Sequence, residues 1–87
     1  MATKYEPLEF HLRAIPSHVR EVTIPFSDLT RILGTPLPSS AFEHRPWWGN
    51  QKESKSRPQA HAWLAAGFLV DTVNQGRSDG WVRFTRK

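Results

Sequence analysis

Phe68-Leu69-Val70-Asp71-Thr72-Val73, then Asn74-Gln75-Gly76-Arg77-Ser78-Asp79-Gly80, then Trp81-Val82-Arg83-Phe84-Thr85: two β-prone runs flank a polar turn that carries two glycines. β-Branched and aromatic side chains pack well on a pleated surface, and glycine lets the chain reverse, so residues 68–85 read as a β-hairpin. In the second run Val82 and Phe84 alternate with Trp81, Arg83 and Thr85. If the first pair faces a core, the other three point outward. An isolated hairpin is marginal in water, and it needs another strand or a helical layer against its apolar face.

The upstream chain offers both. Ser56-Arg57-Pro58-Gln59 caps a helix over 57–66 that carries Ala60, Trp63 and Leu64 and stops at Gly67. Before it, Gly49 to Ser56 (GNQKESKS) is polar and of mixed charge, and 49–56 reads as a mobile loop. Ser40 to Glu43 has capping-box spacing and opens a short helix over 40–46, closed by Pro46. Ser27 is the expected N-cap of a helix over 27–33 with Leu29, Ile32 and Leu33 on one face and Gly34 as its stop. Val22 and Ile24 alternate with Glu21 and Thr23, a strand over 21–26. Its Pro25 cannot donate to a ladder, so this strand lies at an edge or stops there. Tyr5, Leu8, Leu12 and Ile15 recur at helical spacing over 4–14, behind a Thr3–Glu6 capping box and ahead of Pro16.

The expected fold class is therefore α+β: winged helix-turn-helix-like, three to four helices, and a small antiparallel sheet in which the first strand joins a C-terminal β-hairpin. A standard helix-turn-helix has a short turn between its helices, whereas Gly34 to Arg57 intervenes here. An elaborated winged helix and a different α+β domain with the same element order both fit.

The chain has 87 residues, 12 Lys and Arg against 8 Asp and Glu, and no cysteine. That length makes one domain, 1–87. Lack of cysteine excludes disulfides, thiolate zinc sites, iron–sulfur clusters and cysteine nucleophiles, and permits a reducing compartment, so a cytoplasmic location is expected. No run is long enough for a membrane span, and Met1-Ala2-Thr3-Lys4 does not open a secretory signal. The net charge of +4 is unevenly placed. Up to Phe42, Lys4, Arg13, Arg20 and Arg31 balance Glu6, Glu9, Glu21 and Asp28, so the whole excess lies in the second half. A pI near 10.1 with clustered Lys and Arg is the electrostatic footprint of a nucleic-acid binder.

Within a winged-helix layout, Arg57, Gln59 and His61 would open the recognition helix. Arg can bridge guanine and Gln can bridge adenine in the major groove. Arg77 would sit on the wing, Lys52 and Lys55 in the preceding loop would reach phosphates, and Arg45 is a further nucleic-acid-binding candidate. The helix centre, AHAWLAA at 60–66, is apolar, so the segment reads equally as a packed core helix. Trp47-Trp48 beside the basic loop could stack on an unpaired base, while at least one of the pair is expected to fix the loop to the core. Trp81 and Arg83, next to Arg86-Lys87, form a second candidate face, which reads equally as a solvated edge with a cation–π pair.

Catalysis finds little support. His11, His18, His44 and His61 lack metal-ligand spacing, and no nucleophile elbow, P-loop or dinucleotide loop is present. Glu43-His44-Arg45 has no nearby second carboxylate to hold a metal. No cofactor or metal is expected.

Five segments carry a family likeness: Lys4-Tyr5-Glu6-Pro7-Leu8, Leu37-Pro38-Ser39-Ser40-Ala41, Trp47-Trp48-Gly49-Asn50, Gln59 to Gly67 (QAHAWLAAG), and Val82-Arg83-Phe84. On these the chain resembles a widespread small bacterial and phage domain family of unknown function. The resemblance implies a complete α+β, winged-helix-like domain and no particular activity.

Two functions are expected. The first is a small non-enzymatic nucleic-acid-binding module, DNA favoured, that uses the basic second half. The alternative is a protein-binding module, such as a phage-encoded inhibitor, that covers an acidic or nucleic-acid-binding surface of its target. Monomer and homodimer both stay open.

Overall fold

The computed structural model describes residues 3–50 and 58–87. Phe68–Asn74 (β2) and Trp81–Arg86 (β3) pair antiparallel as the expected hairpin, and β3 also pairs antiparallel with Glu21–Pro25 (β1). The sheet order is β1-β3-β2, so the last strand is central. Val70 opposes Phe84 and Thr72 opposes Arg83, which leaves Asp71 as a bulge. The extra residue keeps both halves of β2 in phase with β3: Phe68 and Val70 are buried ahead of it, and Thr72 stands beside Arg83 behind it.

Pro25 acts twice. The β1–β3 register continues beyond both strand ends, as Arg86 N–H donates to Arg20 O (2.8 Å) and Phe26 N–H to Gly80 O (2.9 Å). Hydrogen-bonded pairs alternate in an antiparallel ladder, so Val22 and Ile24 turn their amides to β3 while Glu21, Thr23 and Pro25 face the free edge. The missing proline N–H therefore falls where no ladder bond is lost, as expected of an edge strand. Pro25 is also the N-cap of the helix Phe26–Leu33 (α2), which starts one residue before the expected Ser27. Gly34 ends α2 in the left-handed region, at φ 74°, with its N–H on Thr30 O.

The other helices are shorter than periodicity suggested. Glu6–Arg13 (α1) begins after Tyr5, and the Thr3 hydroxyl accepts from Tyr5 N–H (3.2 Å) without capping the helix. The segment expected as one helix over 40–46 divides into Ser40–Glu43 (α3), an extended His44, and a 3₁₀ turn over Arg45–Trp48. Pro46 has no N–H for a continuing α-helix, so the chain restarts with tighter winding. Pro58–Ala65 (α4) leads through Gly67, at φ 89°, into β2. The expected loop from Gln51 onward and the helix start at Arg57 lie outside the described residues.

The core lies between the helices and one face of the sheet. Its spine is aromatic: Phe26 stacks on Trp48 (centroids 5.4 Å apart, planes 6°), Trp48 on Trp63 (5.8 Å, 18°), and Trp63 leans on Phe84 (5.7 Å, 50°). Leu8, Leu12, Leu29 and Val82 fill in around it. Large flat side chains let so short a chain bury enough area to be stable. Gly80 brings the β2–β3 turn against this spine, since a Cβ there would lie 2.5 Å from the Phe26 ring. Among the described residues the architecture is α+β, with four α-helices and a three-stranded antiparallel sheet.

Candidate nucleic-acid interface

Period-two alternation on β3 puts Val82 and Phe84 in the core and turns Trp81, Arg83 and Thr85 to the opposite face of the sheet. Across the ladder, Arg83 lies between Thr23 and Thr72, and Trp81 between Pro25 and Asn74. The Arg83 guanidinium stands 5.4 Å from the Trp81 ring centroid, its Nε donates to Thr23 Oγ1 (3.4 Å), and Nη1 lies 3.9 Å from Asp71 Oδ2. These contacts orient the cation loosely and leave it accessible.

At one end of this face the β2–β3 turn closes over a pocket of about 360 Å³ lined by Pro25, Ser27, Phe42, Arg77 and Trp81, among others. Arg77 Nη2 donates to Glu43 Oε2 (2.7 Å), and its guanidinium lies 4.7 Å over the Phe42 ring. Both partners of this ion pair are more than 60% exposed. Such a pair contributes under about 1 kcal/mol, so a phosphate can replace the carboxylate at small cost.

Trp81 thus links two cations, Arg83 beside its ring and Arg77 across the pocket that Trp81 and Arg77 both line, with Arg83 outside that lining; the remaining candidates scatter. Arg45 is exposed at the start of the 3₁₀ turn. Trp47 is half-buried, edge-on to Tyr5 (5.9 Å) and Trp48 (4.7 Å). Trp48 offers no stacking surface: it is 1% exposed and its Nε1–H donates to Ala41 O (2.9 Å). Gln59 is 5% exposed, and its Nε2 donates to Trp47 O (3.1 Å), so it is turned away from any base. Burial of Trp48 fixes the 3₁₀ turn against α4, which brings the Trp47 carbonyl to Gln59. On α4, Ala60, Ala62 and Trp63 are also buried, and His61 is exposed beside Leu64 and Lys87 in a different pocket. Lys52, Lys55 and Arg57 lie outside the described residues.

The basic tail needs correction as well. Arg86 Nε donates to Val19 O (3.0 Å) and Nη2 to Pro16 O (3.0 Å) and Ile15 O (3.3 Å), over the Phe68 ring at 4.5 Å. It clamps the α1–β1 connection and offers little to a ligand. Asn50 needs the opposite correction: it fell in the loop 49–56 expected to be mobile, yet its side chain is fixed. Its Oδ1 accepts from Val70 N–H (2.8 Å) and Trp63 Nε1–H (3.0 Å), and its Nδ2 donates to Val70 O (3.0 Å). The carboxamide imitates a neighbouring strand on the outer edge of β2. The available signal was a polar amide just after two tryptophans, with a buried Trp63 indole in need of an acceptor.

Among the described residues no group of His, Asp and Glu could hold a metal ion, and no helix is long and apolar enough to cross a membrane. A family model described as a domain of unknown function (DUF7662) matches residues 5–85. No curated protein and no solved structure matches the chain.

Proposed function

The chain belongs to the DUF7662 family, and for this member we propose a small, non-enzymatic module that binds nucleic acid, DNA in particular, through the β2–β3 turn and the outer face of the sheet. The observation that carries this reading is the Trp81–Arg83 pair on the open face of the central strand, with Arg77 at its end. An aromatic plane with guanidinium groups beside it suits stacking on bases and pairing with phosphates. The location of the whole +4 after Phe42 supplies the long-range attraction.

Element order and the β1-β3-β2 sheet support a winged-helix-like arrangement, with the β2–β3 turn as the wing and α4 in the place of the recognition helix. Because α4 spends Gln59 and Trp63 on the core, contact in this reading shifts from the helix centre to the wing and sheet. Fluorescence polarisation with duplex and single-stranded DNA over a salt series tests it. Affinity falls steeply with salt, and Arg77→Ala and Arg83→Ala each lower the log–log slope by about 1. No binding to either form at low salt overturns the proposal.

A second reading, a module for a protein partner, has one observation in its favour. Phe10 on α1 is 58% exposed, and it is the large apolar side chain left in solvent among the described residues. A partner retained from lysate after nuclease digestion, and lost with Phe10→Ser, favours that reading.

A further inference from the structure

We propose that β1 is a homotypic docking edge: two copies of this chain pair their β1 strands antiparallel about a two-fold axis at Val22, joining two three-stranded sheets into one. The proposal is independent of the nucleic-acid reading and starts from the unequal edges of the sheet. The Asn50 carboxamide closes β2 at Val70. On β1 the outward amides of Glu21 and Thr23 have no hydrogen-bond partner among the described residues. Unpaired edge groups of this kind are a template for a further strand.

The register follows from which groups are open. Glu21 N–H meets the partner's Thr23 O, and Thr23 N–H meets the partner's Glu21 O, each bond made twice by symmetry. The next pair outward sets Pro25 against the partner's Val19. Pro25 has no N–H, and Val19 already spends its N–H on Pro16 O and its carbonyl on Arg86. Pairing therefore ends on both sides without leaving a donor stranded.

Charge selects a second copy as the occupant. Two chains of +4 repel, but residues 1–42, which hold β1, α1 and α2, sum to zero. The copies can thus approach through this half with the basic halves held apart. On the outer face the partner's Glu21 lands beside Thr23, whose other neighbour in the row is Arg83, so the register turns an acidic group toward a basic one with Thr23 between them. Below the edge, a groove of about 490 Å³ is lined by His11, Val22, Ile24, Asp28, Arg31 and Ile32, with Thr23 at its lip. Asp28 and Arg31 form an ion pair on its rim. A rim with both signs is self-complementary under a two-fold axis, which lets each Asp28 face the partner's Arg31 while Val22 and Ile32 are covered.

Sedimentation equilibrium of the full chain over a concentration series tests this. The expected mass approaches twice 10.0 kDa as concentration rises. Thr23→Pro removes an outward amide and no β1–β3 ladder bond, and should weaken association about tenfold or more. Glu21→Lys, an exposed change that threatens folding less, turns a like charge toward Arg83 and should weaken it similarly, with near-UV circular dichroism unchanged. A 10.0 kDa species at every concentration overturns the proposal. So does association that survives Glu21→Lys, or that is lost with Phe10→Ser instead.

Discussion

β2 and β1 flank the same central strand, yet the chain finishes them in opposite ways. Beside β2, Asn50 satisfies Val70 and the Trp63 indole with one carboxamide, and the aromatic column from Phe26 to Phe84 packs behind it. Beside β1, the Glu21 and Thr23 amides stay open among the described residues, and the neighbouring outer face displays Trp81 and Arg83. Backbone groups next to a dry core must be paired, because an unsatisfied buried group costs about 1–3 kcal/mol. Those at a solvated edge are paired by water and remain available. The difference teaches that stability in this domain is concentrated near β2 and α4, whereas its exchangeable contacts gather around β1 and the β2–β3 turn.

The sharpest way to break that contrast is in the aromatic column. Trp63→Ala should destabilise by about 3–5 kcal/mol in urea or thermal unfolding, from lost burial and the cavity left behind. Next comes Asn50→Ala, expected to cost about 2–3 kcal/mol, since it strands the Val70 amide and the Trp63 indole N–H together. Arg86→Met should cost about 1.5–3 kcal/mol by releasing three backbone carbonyls from a charged donor. That result would separate Arg86 from the other arginines of the second half. At the small end, Arg77→Ala and Arg83→Ala should change stability by under about 1 kcal/mol, their ion pairs being exposed or long, while weakening the DNA binding proposed above. A large stability loss at Arg83, or a negligible one at Asn50, would erase the contrast.

Much of the element order was legible because it rests on local physics. Val82 and Phe84 alternate with Trp81 and Arg83, and a period of two has one meaning on a strand. Gly34 and Gly67 mark helix ends that need left-handed backbone, and Pro25 marks an edge strand. The candidate site was less legible. Nothing local distinguishes Trp47 from Trp48, and only packing decides that one indole reaches Ala41 O while the other stays half-buried. Gln59 and Arg86 read as ligand-facing by residue type, but both are consumed by backbone carbonyls distant in sequence. The helix over 40–46 failed for a local reason, since Pro46 forces the winding to restart.

What the sequence alone determined is most of the element order, the neutral first half against the basic second half, and which face of β3 turns inward, because each depends on residue type and spacing along a few neighbouring positions. Which arginines are left for a partner, which tryptophans are core, and which sheet edge is closed were decided by the tertiary structure. Those outcomes depend on hydrogen-bond partners supplied from far along the chain, as when Asn50 meets Val70 and Arg86 meets Ile15, and no local pattern records them.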